Sequence, residues 1–288
     1  MTDAAVCVQV FNKADTSVKT LASLAAANGA RDFDLIITQD GLDGSRFAEK
    51  YSVEHAATRI AVEQWIKENS AAFSSIRFMP ETIGRGTAGT AKVAIDHGFE
   101  GHEWVIFSED DVIYEADALD WFRAMIHHDG FLKDDVWAIA GESKHFDSKG
   151  SQVSEKVIAD AMVVAKNENL ISKYIYFSWL PSSCFATNAT KWYEFGETRG
   201  MARGPKRVND RCVEEGNKSL WPIIARCRDI GMHHQIGYSM TVHKETSKIP
   251  QKSNFLKSGD FEPLTKEVSE FKDTLGIFKK YTKDFNKS

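Results

Sequence analysis

The chain has 288 residues, 42% of them hydrophobic, 27% charged and 11% aromatic, with a formal net charge of −5. That length carries one large or two small domains around a substantial core, and the composition excludes wholesale disorder. A net-negative chain without arginine–aromatic interleaving or zinc-finger spacing gives no footing for nucleic-acid binding.

In chain order, the first half alternates strand and helix. Residues 5–11 are a compact apolar run, the mark of a strand buried on both faces. Asp15 or Thr16 is placed to cap a helix carrying Val18, Leu21, Leu24 and Ala25, which Asn28 and Gly29 end. Strand 33–38 stops at Gln39, Asp40 and Gly41. A helix over 56–73 comes next, with Ile60, Val62, Trp65 and Ile66 expected inward. Strand 75–79 leads into the glycine-rich stretch 84–89 and a helix over 90–97. Strand 104–107 runs into Glu109, Asp110 and Asp111. Asp117 caps a helix over 118–128, and 136–141 is a fifth strand. This alternation predicts an α/β fold with a mostly parallel sheet, crossover helices and ligands beyond the carboxyl ends of the strands.

The second half is less regular. Residues 174–186 are aromatic-rich and broken at Pro181, Ser182 and Ser183. Residues 199–218 mix glycine and arginine, with a short helix expected around 208–215. A strand is expected over 223–228. Leu264, Val268, Phe271, Leu275 and Phe278 repeat at helical spacing and predict a C-terminal amphipathic helix. From residue 243 onward ten lysines face seven acids, a mildly basic tail with at most a peripheral membrane contact.

Cys7, Cys184, Cys212 and Cys227 are scattered without a C-x-x-C pair, so neither a zinc cluster nor a thioredoxin-type site is expected. They read as reduced thiols of a soluble, cytoplasmic protein. The sequence shows no basic-then-apolar leader and no apolar run of about 18 residues.

The chemistry concentrates at Glu109, Asp110 and Asp111. Three adjacent carboxylates at the end of a buried strand repel one another unless something positive sits among them. A divalent cation takes hard oxygen ligands and brings phosphates with it. Asp111 is therefore expected to ligate Mn2+ or Mg2+, with Asp110 acting through a sugar or a metal-bound water. Asp40 is placed to accept from a base N–H or a ribose hydroxyl. Lys13, after the first strand, and Arg85, in the glycine-rich loop, are candidate phosphate partners. Gly84, Gly86 and Gly89 outline a dinucleotide fingerprint, but that reading leaves the acids unexplained. Asp210, among Arg199, Arg203, Lys206, Arg207 and Arg211, is the candidate general base on a lid. His243, with His233 and His234 nearby, is a candidate metal ligand.

These residues, in this order, resemble a glycosyltransferase of the GT-A fold, and among those the N-acetylglucosaminyltransferase I family. Residues 35–40 are similar to that family's second strand ending in Ser-Gln-Asp. Residues 105–117 are similar to its Glu-Asp-Asp metal motif and the Leu-Glu-Val-Ala-Pro-Asp after it. Residues 136–139 resemble its next strand, and Pro181 to Phe185 falls where the family holds the donor sugar. Residues 221–226 with Gly231 resemble its Arg-Pro-Glu-Ile-Ser-Arg and subsequent glycine. The resemblance implies that Asp40 meets uracil, Lys13 stands for a phosphate-side arginine, Asp111 binds manganese and Asp210 is the base. Ser183 lies in the segment that falls at the donor sugar, and beside the metal site Glu109 is expected to orient the donor sugar or the acceptor. The chain departs at Asn209-Asp210, where the family has Trp-Asp-Asp-Trp, which leaves Glu214 or Glu215 as substitute bases, and at Pro181–Cys184, which puts N-acetylglucosamine as donor in question.

The expectation is therefore a metal-dependent inverting transferase that moves a sugar from a UDP-sugar to a hydroxyl of a glycan or glycolipid acceptor. Residues 1–245 would be the transferase domain, with 1–141 the nucleotide-binding half, 142–245 the acceptor half and 246–288 an extension. The rivals are a nucleotidyltransferase, a retaining transferase of the same fold and a non-catalytic nucleotide-sugar binder.

Overall fold

The computed structural model describes residues 4–128, 131, 134–142, 173–177, 181–197, 215–222, 225–231 and 269–270. Its centre is a nine-stranded sheet. The strands are β1 (Ala4–Val10), β2 (Asp34–Gln39), β3 (Ser75–Pro80), β4 (Trp104–Ser108), β6 (Val136–Ala140), β7 (Lys173–Phe177), β8 (Cys184–Asn188), β9 (Lys218–Pro222) and β11 (Ser269–Glu270). They lie in the order β11-β7-β9-β6-β8-β4-β1-β2-β3. A separate two-stranded sheet pairs β5 (Val112–Tyr114) antiparallel with β10 (Cys227–Asp229).

The first half of the sheet arises directly from its sequence. Every residue of β1 and β4 is buried, as expected of strands covered on both faces. β1, β2, β3 and β4 are mutually parallel, with β1 between β2 and β4. β8 then runs antiparallel to both β4 and β6, and β7 antiparallel to β9. The sheet is thus mostly parallel, with reversed strands in its second half.

The helices α1 (Ala14–Ala26), α2 (Ala48–Glu68), α3 (Gly86–Phe99) and α4 (Ala118–Ile126) link the early strands. One core holds Leu21, Leu24, Val62, Trp65 and Phe122; a second holds Ala91, Ile95, Phe107 and Trp137.

Several expectations need correction. α1 begins at Ala14 with Lys13 at its N-cap, and no side chain caps it; Asp15 and Thr16 lie inside the helix. α2 starts well before residue 56, and Ile60 is 67% exposed. Two residues of helix turn the chain by about 200°, so Ile60 cannot share an inward face with Val62. Asp117 is at the α4 N-cap without a capping hydrogen bond. Its carboxylate faces the buried Arg226 instead, Nε to Oδ2 3.3 Å. The strand expected over 223–228 is replaced by β9, ending at Pro222, and β10, starting at Cys227. Ser269 and Glu270 pair in parallel with β7 rather than lying in a helix, because a sheet edge offers unpaired backbone groups to any adjacent segment. The remainder of that predicted helix, and the helix expected around 208–215 apart from Glu215, lie outside the described residues. Among those described, no helix is long and apolar enough to cross a membrane.

Candidate functional site

The chain leaves β1 toward β2 on one side, while β4 packs on the other side of β1. Strand order therefore reverses between β1 and β4. Sheets of this kind bind ligands beyond the carboxyl ends of the strands at such a reversal. Lys13 comes from the end of β1, and Glu109, Asp110 and Asp111 from the end of β4.

α1 holds the acidic turn in place through hydroxyls on one face. Ser17 Oγ donates to Asp110 Oδ2 at 3.4 Å, Thr20 Oγ1 accepts from the Val112 N–H at 3.2 Å, and Ser23 Oγ accepts from the Tyr114 N–H at 3.1 Å. The Phe11 N–H also donates to Asp110 Oδ2, at 3.4 Å. On the far side the Glu109 N–H donates to the Ser183 carbonyl at 2.9 Å, and the Ile230 N–H to the Asp111 carbonyl at 2.7 Å. The loop before β8 and the end of β10 thus close on the turn.

The positive charge demanded by three adjacent acids is present in the chain. Lys13 Nζ lies 2.5 Å from Asp111 Oδ2 and 3.6 Å from Asp110 Oδ1. Burial opposes its charge, but Asp110, Asp111 and Glu109 outweigh that and hold Lys13 well above the usual lysine range. Among the described residues, this one ammonium does not balance the cluster. Burial, then Asp111, Asp229 and Asp110, raise Glu109 far above the carboxylate range against the pull of Lys13. Burial likewise pushes Asp110 up to about 6, with Lys13 opposing and Asp111 assisting.

Asp229 belongs to this cluster and was not anticipated. Its Oδ1 accepts from the Gly231 N–H at 2.7 Å, and the Ser183 hydroxyl donates to its Oδ2 at 3.5 Å. Its only sequence signal was its place just after the strand expected over 223–228; nothing local indicates that this segment pairs with β5. Gly231 has a steric reason to be glycine. A Cβ there would lie 2.1 Å from Asp111 Oδ2 and 3.1 Å from Asp229 Oδ1, closer than any side-chain carbon tolerates beside the first.

Asp40 is 7% exposed and receives three backbone N–H groups: Gly41 at 3.0 Å and Arg85 at 2.8 Å on Oδ1, and Gly86 at 2.9 Å on Oδ2. It thereby fastens the glycine-rich loop, where Gly86 has φ 71°, to the end of β2. Arg85 meets Asp40 through its backbone; its side chain is 42% exposed and 3.7 Å from Glu81. Phe11 stands edge-on to Tyr51 and His55, with centroids 6.3 and 5.6 Å apart, and the His55 ring contacts the Asp40 carbonyl at 2.7 Å. Phe11, Tyr51 and His55 thus form an aromatic cluster against Asp40.

The structure thus brings together Lys13, Glu109, Asp110, Asp111 and Ser183, and sets Asp40 and Arg85 around the adjoining loop. Asp210, Glu214 and His243 lie outside the described residues. Glu215 is exposed beside Asn217, whose amide donates to it at 3.1 Å.

Among the described residues, no three metal-ligating side chains gather closely enough to hold a cation unaided. The donors still fit a hard divalent ion that shares its shell with phosphate and water. Asp111 Oδ1 is buried without a hydrogen-bond partner, and the surrounding carboxylates exceed the single ammonium.

No family model and no curated protein matches the chain. Solved structures resemble it at low identity. A mannosyltransferase from Pyrobaculum calidifontis, in complex with GDP-Man and Mn2+, is 14% identical over 78% of this chain and 57% of its own, with a TM-score of 0.48. S. aureus TarS 1-349 is 12% identical over 80% of this chain and 61% of its own, TM-score 0.49. The same protein in complex with UDP gives 13%, 78%, 59% and 0.47. The chain spans about three fifths of the length of these structures. At such identity the likeness concerns backbone arrangement, and the residue roles rest on this chain's own geometry.

Proposed function

We propose that the chain is a metal-dependent glycosyltransferase of the GT-A fold, transferring a sugar from a nucleotide-diphosphate donor to an acceptor hydroxyl. The observation that carries this reading is the acidic turn at the switch between β1 and β4. There Lys13, Asp110 and Asp111 converge, with Glu109 and Asp229 beside them. Such a set suits a cation-bridged diphosphate.

Asp111 would hold Mn2+ or Mg2+. A bound divalent ion neutralises the diphosphate and eases its departure as a leaving group. Lys13 neutralises phosphate oxygens on the β1 side. Glu109, Asp110 and Ser183 face the donor sugar. The loop fastened by Asp40, with Phe11 and Tyr51 opposite, receives the base. The resemblance of residues 35–40 to the N-acetylglucosaminyltransferase I family favours uracil, hence a UDP-sugar. Asp210 is the proposed base, taking the proton of a glycan or glycolipid hydroxyl that attacks the anomeric carbon opposite the diphosphate, with inversion. Three described cysteines, Cys7, Cys184 and Cys227, are free and buried, which favours a cytoplasmic setting.

Thermal shift with UDP, GDP and CDP, each with and without Mn2+, tests the donor. UDP with Mn2+ is expected to stabilise most; stabilisation by another nucleotide and none by UDP overturns the uracil assignment. Product analysis separates the reaction classes. Released nucleoside diphosphate supports sugar transfer, whereas pyrophosphate from a nucleoside triphosphate overturns it.

A further inference from the structure

We infer that Lys13 occupies the cation position of the free protein, and that binding of the metal–nucleotide complex shifts its ammonium from Asp111 to the phosphates. The inference rests on the metal–diphosphate reading above and adds an exchange between two positive partners of one carboxylate.

Asp111 has two oxygens, and the structure treats them differently. Oδ2 is held by Lys13 at 2.5 Å and boxed in by the bare Cα of Gly231. Oδ1 is buried with no hydrogen-bond partner. A divalent ion on Asp111 would lie close to the ammonium, where two positive charges repel strongly at low local dielectric. Lys13 therefore opposes a cation that arrives alone. A diphosphate changes the balance, because its oxygens give the ammonium a new anionic partner while leaving Asp111 to the metal. The side chain can make that move. Its backbone is anchored at the start of α1, but its stem ends in a compact charge with freely rotating donors. The surplus of carboxylates keeps the position attractive to a divalent ion once the lysine has turned away.

Metal and nucleotide should thus bind with positive coupling that depends on Lys13, and by linkage each tightens the other equally. Mn2+ affinity is measured by the free-ion electron paramagnetic resonance signal, and UDP affinity at saturating Mn2+ by calorimetry. Lys13→Met should bind Mn2+ alone about tenfold or more tighter than wild type, while its UDP affinity falls by a similar factor, within the usual range of coupling. Lys13→Arg, which keeps the charge, should leave Mn2+ binding weak. If Lys13→Met fails to fold, Lys13→Met/Asp110→Asn compared with Asp110→Asn alone reads the same exchange on a cluster relieved of one charge. Mn2+ affinity unchanged or weakened by loss of the ammonium overturns the inference alone. Absence of Mn2+ binding to every variant, with or without UDP, GDP or CDP, overturns it together with the metal–diphosphate reading.

Discussion

Asp34 and Asp110 stand at opposite ends of the same set of parallel strands, one opening β2 and the other just past β4. Asp34 Oδ1 accepts from the Ser75 hydroxyl at 2.8 Å, and its Oδ2 meets the His102 ring at 2.9 Å. Partial burial works against its charge, but these hydrogen bonds prevail and hold the carboxyl below its usual range. Asp110 has hydrogen bonds and an ammonium too, yet burial, with Asp111 assisting, drives it the other way. The amino end of the sheet satisfies its charges within the fold. The carboxyl end holds a surplus of one sign, which costs stability and suits a ligand of the other sign.

The largest expected effect breaks the charged end outright. Asp111→Asn should lower both Mn2+ affinity and transfer activity by more than the roughly 100-fold upper figure for losing a group behind a metal ligand. Calorimetry with Mn2+ and UDP, and an assay of UDP release, check it. Next comes Gly231→Ala, whose Cβ would push Asp111 Oδ2 aside. Misplacing a reacting group by about 1 Å costs on the order of 100-fold in rate, with about 1–3 kcal/mol of stability lost to overpacking; kinetics and denaturant melts read the two separately.

Acidity then sharpens the contrast. Asp110 has a raised carboxyl, so its stabilising contribution is complete below the unfolded value near 4 and lost as pH rises through about 6. Asp34 has a lowered carboxyl, so its contribution is present above the unfolded value and lost as pH falls through the folded one. Melting temperature of the metal-free protein should thus suffer at the charged end on going from about pH 4 to about pH 6. Asp110→Asn should flatten that decline, and an unchanged slope would refute the assignment. The smallest effect is Asp34→Asn, which should cost less than about 1 kcal/mol near neutral pH, as for partly exposed ion pairs, and leave Mn2+ binding unchanged.

The same division separates what the sequence revealed from what it hid. β1, β2, β3 and β4 were legible because runs such as Val105, Ile106 and Phe107 are long enough to be strands and too apolar to be loops. The acidic turn was legible because like charges in adjacent positions need a reason. Asp229 was hidden because its importance comes from β10 pairing with β5, more than 110 residues earlier, and no local pattern encodes such a pairing. Lys13 was singled out as a phosphate partner, yet its contact with Asp111 needed the parallel pairing of β1 with β4, which sets their carboxyl ends side by side. Asp117 carried a capping signal that its neighbour Arg226 outcompeted. Ile60 was misplaced because an apolar residue on a helix says nothing about its face until its angle to Val62 is counted.

Ser17, Thr20 and Ser23 meet the acidic turn at intervals of three residues along α1. Lys13 stands at the start of that helix, so helix, lysine and carboxylates form one gauge. Inserting a single residue between Lys13 and Ser17 would rotate the hydroxyl face by about 100° relative to the lysine, and either the turn or the ammonium would lose its register. The length of the first turns of α1 is therefore under as tight a constraint as the identity of the acids themselves, although none of its hydroxyls need ever touch a substrate.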